Sequence, residues 1–322
     1  MEKYLTVSIL IPTYNRASLL QTAIESALAQ DYLNLTIIVS DDASTDNTPK
    51  IVEKYFQDAR FKYYRNGENL GITKNVRKII YEYADSEWFL LTADDEYLTD
   101  KSYISKCMTI ANKYESMVLI GGNVEIYFED SGKRYEQKMF RPELVSGKWF
   151  FLNWNDYNYL PAPSSLCKTD VVRNFSKLFT NGITDDFEAY LMLCLQGDVG
   201  FIKDIAGVFT VQNSNAGIAK LTADSIIKSL YCIENPYNYA KSKQIFPVNL
   251  IENWRKAMIA NFLKGRYEQL SIWNKNKEEA YCLKQRIKKE YPFALSWTAV
   301  FFKVYSIFYN NLRVVFKFLT AI

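Results

Sequence analysis

Two short apolar runs in the first third of the chain each end in a pair of aspartates. One run leads to Asp41 and Asp42, and the other leads to Asp94 and Asp95. Short runs rich in β-branched or aromatic residues predict buried strands, and helical patterns between them predict parallel pairing. Because ligands bind at the carboxyl ends of the strands in an open parallel sheet, both pairs should lie at that edge. Clustered carboxylates repel one another unless a cation is present, and a divalent metal with oxygen ligands is the simplest candidate.

Composition narrows the possible functions. The chain has 322 residues, 48% of them hydrophobic, which is enough for one large domain with an appendage. Its net charge of +3 gives no electrostatic signature of nucleic-acid binding. Five scattered cysteines without CxxC spacing disfavour zinc and disulfides and favour a reducing cytoplasm, with all five as small buried hydrophobes. The absence of histidine excludes an imidazole base or ligand from this chain.

Strand and helix patterns alternate from residue 5 to residue 127. Predicted strands cover residues 7–11, 35–39, 61–64, the run ending at 95, 117–120 and 124–128, and a later one covers 208–212. Ser18 and Gln21 have capping-box spacing in the first helix, and Pro49 opens the second. From Asp224 onward the pattern is helical. Residues 1–218 are therefore predicted to form an α/β domain, and residues 219–322 a C-terminal helical region.

Two common phosphate-binding signatures are missing from the sequence. No GxGxxG follows the first strand, which disfavours a dinucleotide-binding fold. No GxxxxGK[ST] occurs, which disfavours a P-loop. A sheet that carries acidic pairs in place of these loops needs another explanation.

Five motifs resemble, in their order along the chain, those of the family 2 glycosyltransferases. They are VSILIPTYNR at residues 7–16, VSDDASTDNT at 39–48, RNGENLG at 65–71, TADD at 92–95 and TDD at 184–186. The resemblance covers roughly residues 5–215. It implies an α/β fold of the GT-A type, with a mixed, mostly parallel sheet flanked by helices. The first half of that sheet is a Rossmann-like nucleotide-binding unit, and the C-terminal helices form an appendage.

The resemblance also implies a reaction. An inverting transferase of this family moves a sugar from a nucleoside diphosphate, expected here to be UDP, to a hydroxyl of a glycan or lipid-linked acceptor. Such a reaction belongs to bacterial-type surface polysaccharide synthesis. A divalent cation, Mn²⁺ or Mg²⁺, held by Asp94 and Asp95 would stabilise the leaving diphosphate. Asp186, with Asp185 beside it, is the expected catalytic base for the acceptor hydroxyl.

The donor-binding residues follow from the same resemblance. Thr13, Tyr14 and Asp42 are expected to hold the base and ribose, since a carboxylate suits the imide N–H of uracil. The full predicted set is Pro12, Thr13, Tyr14, Asn15, Asp41, Asp42, Arg65, Asn69, Gly71, Lys74, Ala93 and Asp94.

Two departures from the family pattern leave alternatives open. Thr92 stands where the family's DxD motif begins with aspartate, and Gln212 or Asn213 lies where relatives often place a histidine. The metal would then bind more weakly or arrive mainly with the substrate. One alternative is a nucleotide-sugar-binding protein that has lost catalysis. Another is a sugar nucleotidyltransferase, although its Gly-rich opening loop and lysine are absent.

Several of these residues also have structural explanations. Asp41 and Asp42 could form an Asx-turn at a strand end, and Asp185 or Asp186 could cap a helix. Asp95 could serve as a hydrogen-bond acceptor in the turn. Charged side chains such as Arg65 and Lys74 are most often solvated.

The last residues of the sequence raise the question of a membrane. Residues 296–322 repeat aromatic and apolar residues at helical spacing, interrupted by Lys303, Arg313 and Lys317. No uncharged run there reaches the length of a bilayer span. An interfacial amphipathic helix and a helix docked on protein are both consistent with the pattern. The expected location is the cytoplasm, either free or peripheral on the inner face of the cell membrane, and the oligomeric state is open.

Overall fold

The residues that the structure describes form one mixed sheet of ten strands. The computed structural model describes residues 4–138, 141–154, 160, 162–180, 185–211, 221–273 and 276–295. The strands are β1 (Val7–Thr13), β2 (Leu35–Asp41), β3 (Phe61–Arg65), β4 (Trp88–Leu91), β5 (Tyr97–Leu98), β6 (Met117–Phe128), β7 (Lys133–Gln137), β8 (Leu144–Val145), β9 (Leu166–Lys168) and β10 (Asp198–Val211).

Helices lie between and after the strands. The α-helices are α1 (Ala17–Leu28), α2 (Thr48–Val52), α3 (Ile72–Lys78), α4 (Tyr103–Lys113), α5 (Gly147–Leu152), α6 (Thr169–Arg173), α7 (Asp185–Cys194), α8 (Ala223–Lys228), α9 (Tyr231–Ser242), α10 (Val248–Glu268) and α11 (Lys277–Glu290). Short 3₁₀ or π segments are Glu53–Tyr55, Ile79–Tyr83, Ala162–Ser164 and Gln269–Trp273.

The strand order is β3-β2-β1-β4-β9-β6-β10-β5. The first four strands are parallel to one another, and β6 is parallel to β10. The strand β9 runs antiparallel to both β4 and β6, whereas β5 and β8 pair antiparallel with β10 and β7 with β6. The predicted fold class, a mixed and mostly parallel sheet flanked by helices, is confirmed.

The central strands are continuous apolar runs because helices cover both faces of the sheet. Every residue of β1 is buried, and α1 packs Leu20, Ala23 and Ile24 into the core. In the β1–β2 register Thr13 lies opposite Asp41, so both strands end at the same edge. The packing of these strands therefore delivers their polar C-terminal residues together.

Three local predictions were wrong. The capping box at Ser18 is absent, since α1 begins at Ala17 and has no side-chain cap. The two strands expected at 117–120 and 124–128 are one strand, β6. Gly122 lies in the middle of β6 and does not interrupt the strand. A Cβ at this position would lie 2.7 Å from the Tyr103 hydroxyl, so glycine leaves room for that ring to pack on the strand. The later strand, expected at 208–212, begins ten residues earlier, at Asp198.

The chain divides into two compact units, residues 1–215 and residues 216–322. The described part of the second unit is helical. All five cysteines are free thiols, and four of them are buried, but Cys282 is exposed, contrary to the prediction that all five are buried. Among the described residues, no helix combines the length and apolar character that a membrane crossing requires. The amphipathic segment predicted at 296–322 lies outside the described residues.

Candidate functional site

The second aspartate pair lies just beyond β4, at the edge where β1 and β2 also end. Thr13 Oγ1 donates a hydrogen bond to Asp94 Oδ2 at 2.7 Å. Arg16 Nη1 donates to Asp94 Oδ1 at 2.7 Å and to Asp95 Oδ2 at 3.1 Å. The side chains of Asp94 and Asp95 are only 5% and 6% exposed, whereas that of Arg16 is 31% exposed. One guanidinium therefore bridges both buried carboxylates, and the sequence reasoning had given Arg16 no such role.

The electrostatics of this pair reflect its burial. Desolvation raises the pKa of the Asp94 carboxyl above its usual range, while the hydrogen bond from Thr13 and the charge of Arg16 oppose that shift. The Arg16 pKa is raised by the two carboxylates, although burial of its guanidinium acts against them. The site thus holds two acidic groups that a positive charge must accompany.

A third carboxyl group, that of Glu96, follows Asp94 and Asp95 in the chain, and the sequence motifs did not point to it. Glu96 is buried, and its Oε2 accepts hydrogen bonds from the Ala93 backbone N–H at 3.0 Å and the Thr92 hydroxyl at 3.3 Å. Burial raises the pKa of Glu96 to about 8. Glu96 therefore fixes the backbone of the turn that presents Asp94, and Thr92 supports it from the position where relatives have an aspartate.

The first aspartate pair is engaged in a different way. Asp42 accepts hydrogen bonds from the side chain of Asn66 and from the backbone N–H groups of Leu70 and Gly71 at 2.8–2.9 Å. Asp41 accepts from the Ser44 backbone N–H and from the hydroxyl of Tyr63. Those contacts shape the loop that follows β3 and the loop that follows β2.

The loop after β1 locks onto the loop after β2. The Asn15 side-chain oxygen accepts from the backbone N–H groups of Thr45 and Asp46, at 2.7 and 3.3 Å. Asn15 and Ala43 both adopt left-handed φ values, 52° and 62°, that L-residues rarely occupy. The interlocked loops hold this backbone and leave the Tyr14 ring 44% exposed, while Pro12 is buried at the end of β1.

The remaining residues predicted to bind the donor flank this edge. Arg65 donates to the Ser44 carbonyl at 2.7 Å, and its Nε lies 3.5 Å from Asp41. Asn69 accepts from the N–H of Gly71, whose φ of 82° lies in the left-handed region that favours glycine. Lys74 is exposed on α3. Asn69 and Gly71 lie in the loop that Asp42 holds, and a role of these residues in donor binding stays a prediction.

The predicted catalytic base lies at the start of α7. Asp186 is partly exposed, and its charge contributes to the raised pKa of Glu96, so its carboxylate is within electrostatic range of the second pair. Asp185 is the first residue of α7. Thr210 near the end of β10 donates to the Asp95 carbonyl at 2.6 Å, which places the end of that strand beside the pair. Thr184, Gln212 and Asn213, together with the side chain of Asp185, lie outside the described residues.

The residues at this edge suit a divalent cation that shares its coordination with a ligand. Asp94 and Asp95 offer carboxylate oxygens, the donor type that hard cations prefer. Within the part of the chain that the structure describes, no group of three or more His, Cys, Asp or Glu side chains could hold a metal. Mg²⁺ and Mn²⁺ sites commonly use one or two carboxylates and take their other ligands from water and substrate phosphates.

A cavity of about 1150 Å³ lies at the other edge of the sheet and is not the candidate site. It is lined by Trp88 and Met117, the first residues of β4 and β6, and by Arg173 and Asn174 after β9. The acidic pairs lie where β2 and β4 finish, and ligands bind at that edge in parallel sheets. The chemistry of the side chains, and not the volume of the cavity, locates the site.

The chain belongs to glycosyl transferase family 2, whose family model matches residues 8–170. It is 29% identical over 150 residues to the GalNAc(5)-diNAcBac-PP-undecaprenol beta-1,3-glucosyltransferase of Campylobacter jejuni, covering 44% of this chain and 48% of that one. It is 34% identical over 133 residues to UDP-Glc:alpha-D-GlcNAc-diphosphoundecaprenol beta-1,3-glucosyltransferase WfgD of Escherichia coli, covering 41% and 50%. The chain thus matches about half the length of these two relatives.

Solved structures share the fold. Staphylococcus aureus TarS 1-349 in complex with UDP-GlcNAc superposes with a TM-score of 0.64 and 18% identity, covering 84% of this chain and 74% of that one. The mannosyltransferase PcManGT of Pyrobaculum calidifontis, in complex with GDP-Man and Mn²⁺, superposes with a TM-score of 0.51 and 14% identity, covering 92% and 83%. The resemblance to the GT-A fold stated from the motifs is confirmed.

Proposed function

We propose that this protein transfers a sugar from a UDP-linked donor to a hydroxyl of a glycan or lipid-linked acceptor, with inversion, in surface polysaccharide synthesis. The observation that carries the proposal is the cluster of Thr13, Arg16, Asp94 and Asp95, which adjoins the loops held by Asp41 and Asp42. The names of the two bacterial relatives specify lipid-linked acceptors and support the acceptor class.

A uracil base is the donor group that Asp42 suits best. Its carboxylate accepts three hydrogen bonds within the protein, and an ionised carboxylate has about four acceptor positions. One position is therefore left for the imide N–H of uracil. The exposed Tyr14 ring nearby offers a face for the base, and the TarS complex with UDP-GlcNAc supports the same carrier.

The reaction needs a base on one side of the anomeric carbon and charge stabilisation on the other. Asp186 would accept the proton of the acceptor hydroxyl as its oxygen forms the new glycosidic bond and the bond to the diphosphate breaks. Asp94, with Asp95 beside it, would hold a divalent cation, which supplies positive charge for the leaving diphosphate. Arg16, which contacts Asp94, would add a second positive charge for the leaving diphosphate.

Sugar transfer by defined variants tests these roles. UDP release from UDP-sugars with a panel of glycan and lipid-linked acceptors should fall at least about a hundredfold in Asp94→Asn and Asp186→Asn. Asp130→Asn, an exposed acid far from the motifs in sequence, is the matched control and should keep full activity. Full activity in either site variant would reject the role assigned to that residue.

One observation favours a second candidate, a donor-binding protein without catalysis. Arg16 already contacts both Asp94 and Asp95, and Thr92 replaces the first aspartate of the metal motif. Under this alternative UDP would bind equally well with and without Mn²⁺, and no acceptor would yield product. Any metal-dependent turnover rejects it.

A cytoplasmic location, peripheral on the inner face of the cell membrane, belongs to the same proposal. A lipid-linked acceptor lies in a bilayer, and an enzyme that uses it must work at the bilayer surface. Fractionation of cells that express the full chain should recover it partly with membranes and should release it in high salt.

A further inference from the structure

Positive charge is concentrated in the second unit of the chain. Residues 1–215 contain 22 Lys and Arg against 29 Asp and Glu, a net charge of −7, whereas residues 216–322 contain 17 against 7, a net charge of +10. The small net charge of the whole chain conceals this segregation. A strongly basic unit attached to an acidic catalytic unit indicates an anionic partner for the basic one.

The helix α11 carries part of this charge on one side. Lys277, Lys284 and Lys288 recur at intervals of seven and four residues, which places them on one face of a helix, and all three are exposed. The buried side of α11 is formed by Ala280, Leu283 and Ile287. The lysines therefore face solvent and not the core of the unit.

Of the three acids on α11, two have other partners, and the third, Glu278, forms no ion pair within the described part of the chain. Glu279 accepts a hydrogen bond from the Ala223 backbone N–H, and Glu290 pairs with Arg286. Lys277, Lys284 and Lys288 form no ion pair with any residue in the described part of the chain. Their charges are available to a partner.

An aromatic ring completes the same face. Tyr281 lies between Lys277 and Lys284 at helical spacing and is 64% exposed. Tyrosine has an apolar ring and a polar tip, so it is favoured at membrane interfaces, while lysines beside it meet anionic head groups. A soluble polyanion would use the lysines but would give the exposed ring no apolar environment.

We propose that the stripe formed by Lys277, Tyr281, Lys284 and Lys288, here called the α11 stripe, is a docking surface for an anionic lipid bilayer. The residues that follow α11 support this choice, because 296–322 are rich in aromatic and apolar residues and contain three basic and no acidic residues. The stripe assigns the membrane contact to the C-terminal unit. This surface goes beyond the sugar-transfer proposal and does not depend on it.

Vesicle binding by the full chain tests the stripe. The probe is phosphatidylcholine vesicles with and without about one third phosphatidylglycerol. Wild-type protein should bind only the anionic vesicles, and added salt should weaken binding. The variant K277Q/K284Q/K288Q should bind about 100-fold more weakly, since each lysine near an anionic surface contributes about fivefold.

A matched control separates the stripe from net charge. The variant K50Q/K101Q/K177Q removes three exposed lysines from the catalytic unit, changes the net charge equally and should bind vesicles like the wild type. Equal weakening in both variants would overturn the proposal. So would retention of tight vesicle binding by the stripe variant, or binding to soluble polyphosphate without binding to anionic vesicles.

A second measurement reports which part of the protein contacts the vesicle, and not how tightly the protein binds. Tyr281 lies in the stripe, whereas the exposed Cys282 faces another side of α11, because adjacent residues of a helix point in different directions. An environment-sensitive fluorophore at position 281 of the variant Y281C/C282S should shift to the blue with anionic vesicles and not with neutral ones. An unchanged spectrum in bound protein would place the contact elsewhere. UDP release with a water-soluble acceptor should be the same in the stripe variant, so failure of this inference is distinct from failure of the sugar-transfer proposal.

Discussion

The two aspartate pairs look alike in sequence but are neutralised in different ways. Asp41 and Asp42 accept hydrogen bonds mainly from backbone N–H groups, an amide and a phenol, which are fixed parts of the fold. Asp94 and Asp95 share one arginine side chain that is partly exposed. Backbone N–H groups and the side chains of Asn66 and Tyr63 make the first pair part of the frame, and Arg65 adds a positive charge 3.5 Å from Asp41. One partly exposed arginine contacts both members of the second pair, so it can be exchanged for a divalent cation that also binds a diphosphate.

Removing the Asp42 carboxylate should have the largest effect on folding. In Asp42→Ala, three hydrogen bonds are lost and the backbone N–H groups of Leu70 and Gly71 lose their acceptor, so the free energy of unfolding should fall by about 3 kcal/mol. Urea unfolding without nucleotide measures the change. Asp130→Ala, which removes an exposed carboxylate, should stay within about 0.5 kcal/mol of the wild type. Similar values for the two variants would show that the first pair is not a structural frame.

Removing the Arg16 charge should have a smaller effect that metal reverses. In Arg16→Met, Asp94 and Asp95 lose their shared cation, and metal-free protein should lose about 2 kcal/mol of stability. Because the guanidinium then no longer competes for the carboxylates, Mn²⁺ should raise the melting temperature more in this variant than in the wild type. Lys74→Met removes an exposed cation and serves as the control. Equal responses to Mn²⁺ in all three proteins would contradict an exchangeable pair.

Removing the Glu96 carboxyl should have an effect of a different kind, a change in how stability depends on pH. Its pKa is about 8 in the folded protein against an ordinary value of 4.5, so the folded state keeps a proton that the unfolded state has released. Stability should therefore fall as the pH rises from about 4.5 through about 8. Glu96→Gln, which cannot ionise, should lack this component and gain stability relative to the wild type above pH 8.

Thermal melts of metal-free protein from pH 5 to pH 9 measure the Glu96 effect. Parallel profiles for the wild type and Glu96→Gln would show that the carboxyl carries no unusual proton. The contrast with Asp42 lies in the number of donors, since Asp42 accepts three hydrogen bonds and Glu96 accepts two.

The sequence could predict the sheet because its information is local and periodic. The runs at β1, β2 and β4 are mainly apolar, and the helices between them favour a parallel arrangement. Strand limits were harder to predict, since β6 passes through Gly121 and Gly122, whose tolerance depends on packing with Leu160 and Tyr103. Contacts with residues distant in the chain decided those limits.

The candidate site was only partly predictable for the same reason. The motifs located Thr13, Asp42 and Asp94, but their contacts depend on partners far away in the sequence. The Arg16 bridge to Asp94 crosses 78 residues. Two adjacent aspartates at a predicted buried edge need a nearby positive charge. That need could have suggested Arg16, the last residue of the first motif. Glu96 follows the second pair directly, and only its burial distinguishes it from a solvated acid.

Thermal stability with UDP, GDP, CMP and ADP, each with and without Mn²⁺, tests the central claim most directly. If Asp94 and Asp95 form an exchangeable metal and diphosphate site, UDP with Mn²⁺ should raise stability by a few kcal/mol at saturating ligand, and Asp94→Asn should abolish the increase. No increase with any nucleotide, or an equal increase in Asp94→Asn, would contradict the assignment of this pair to donor binding.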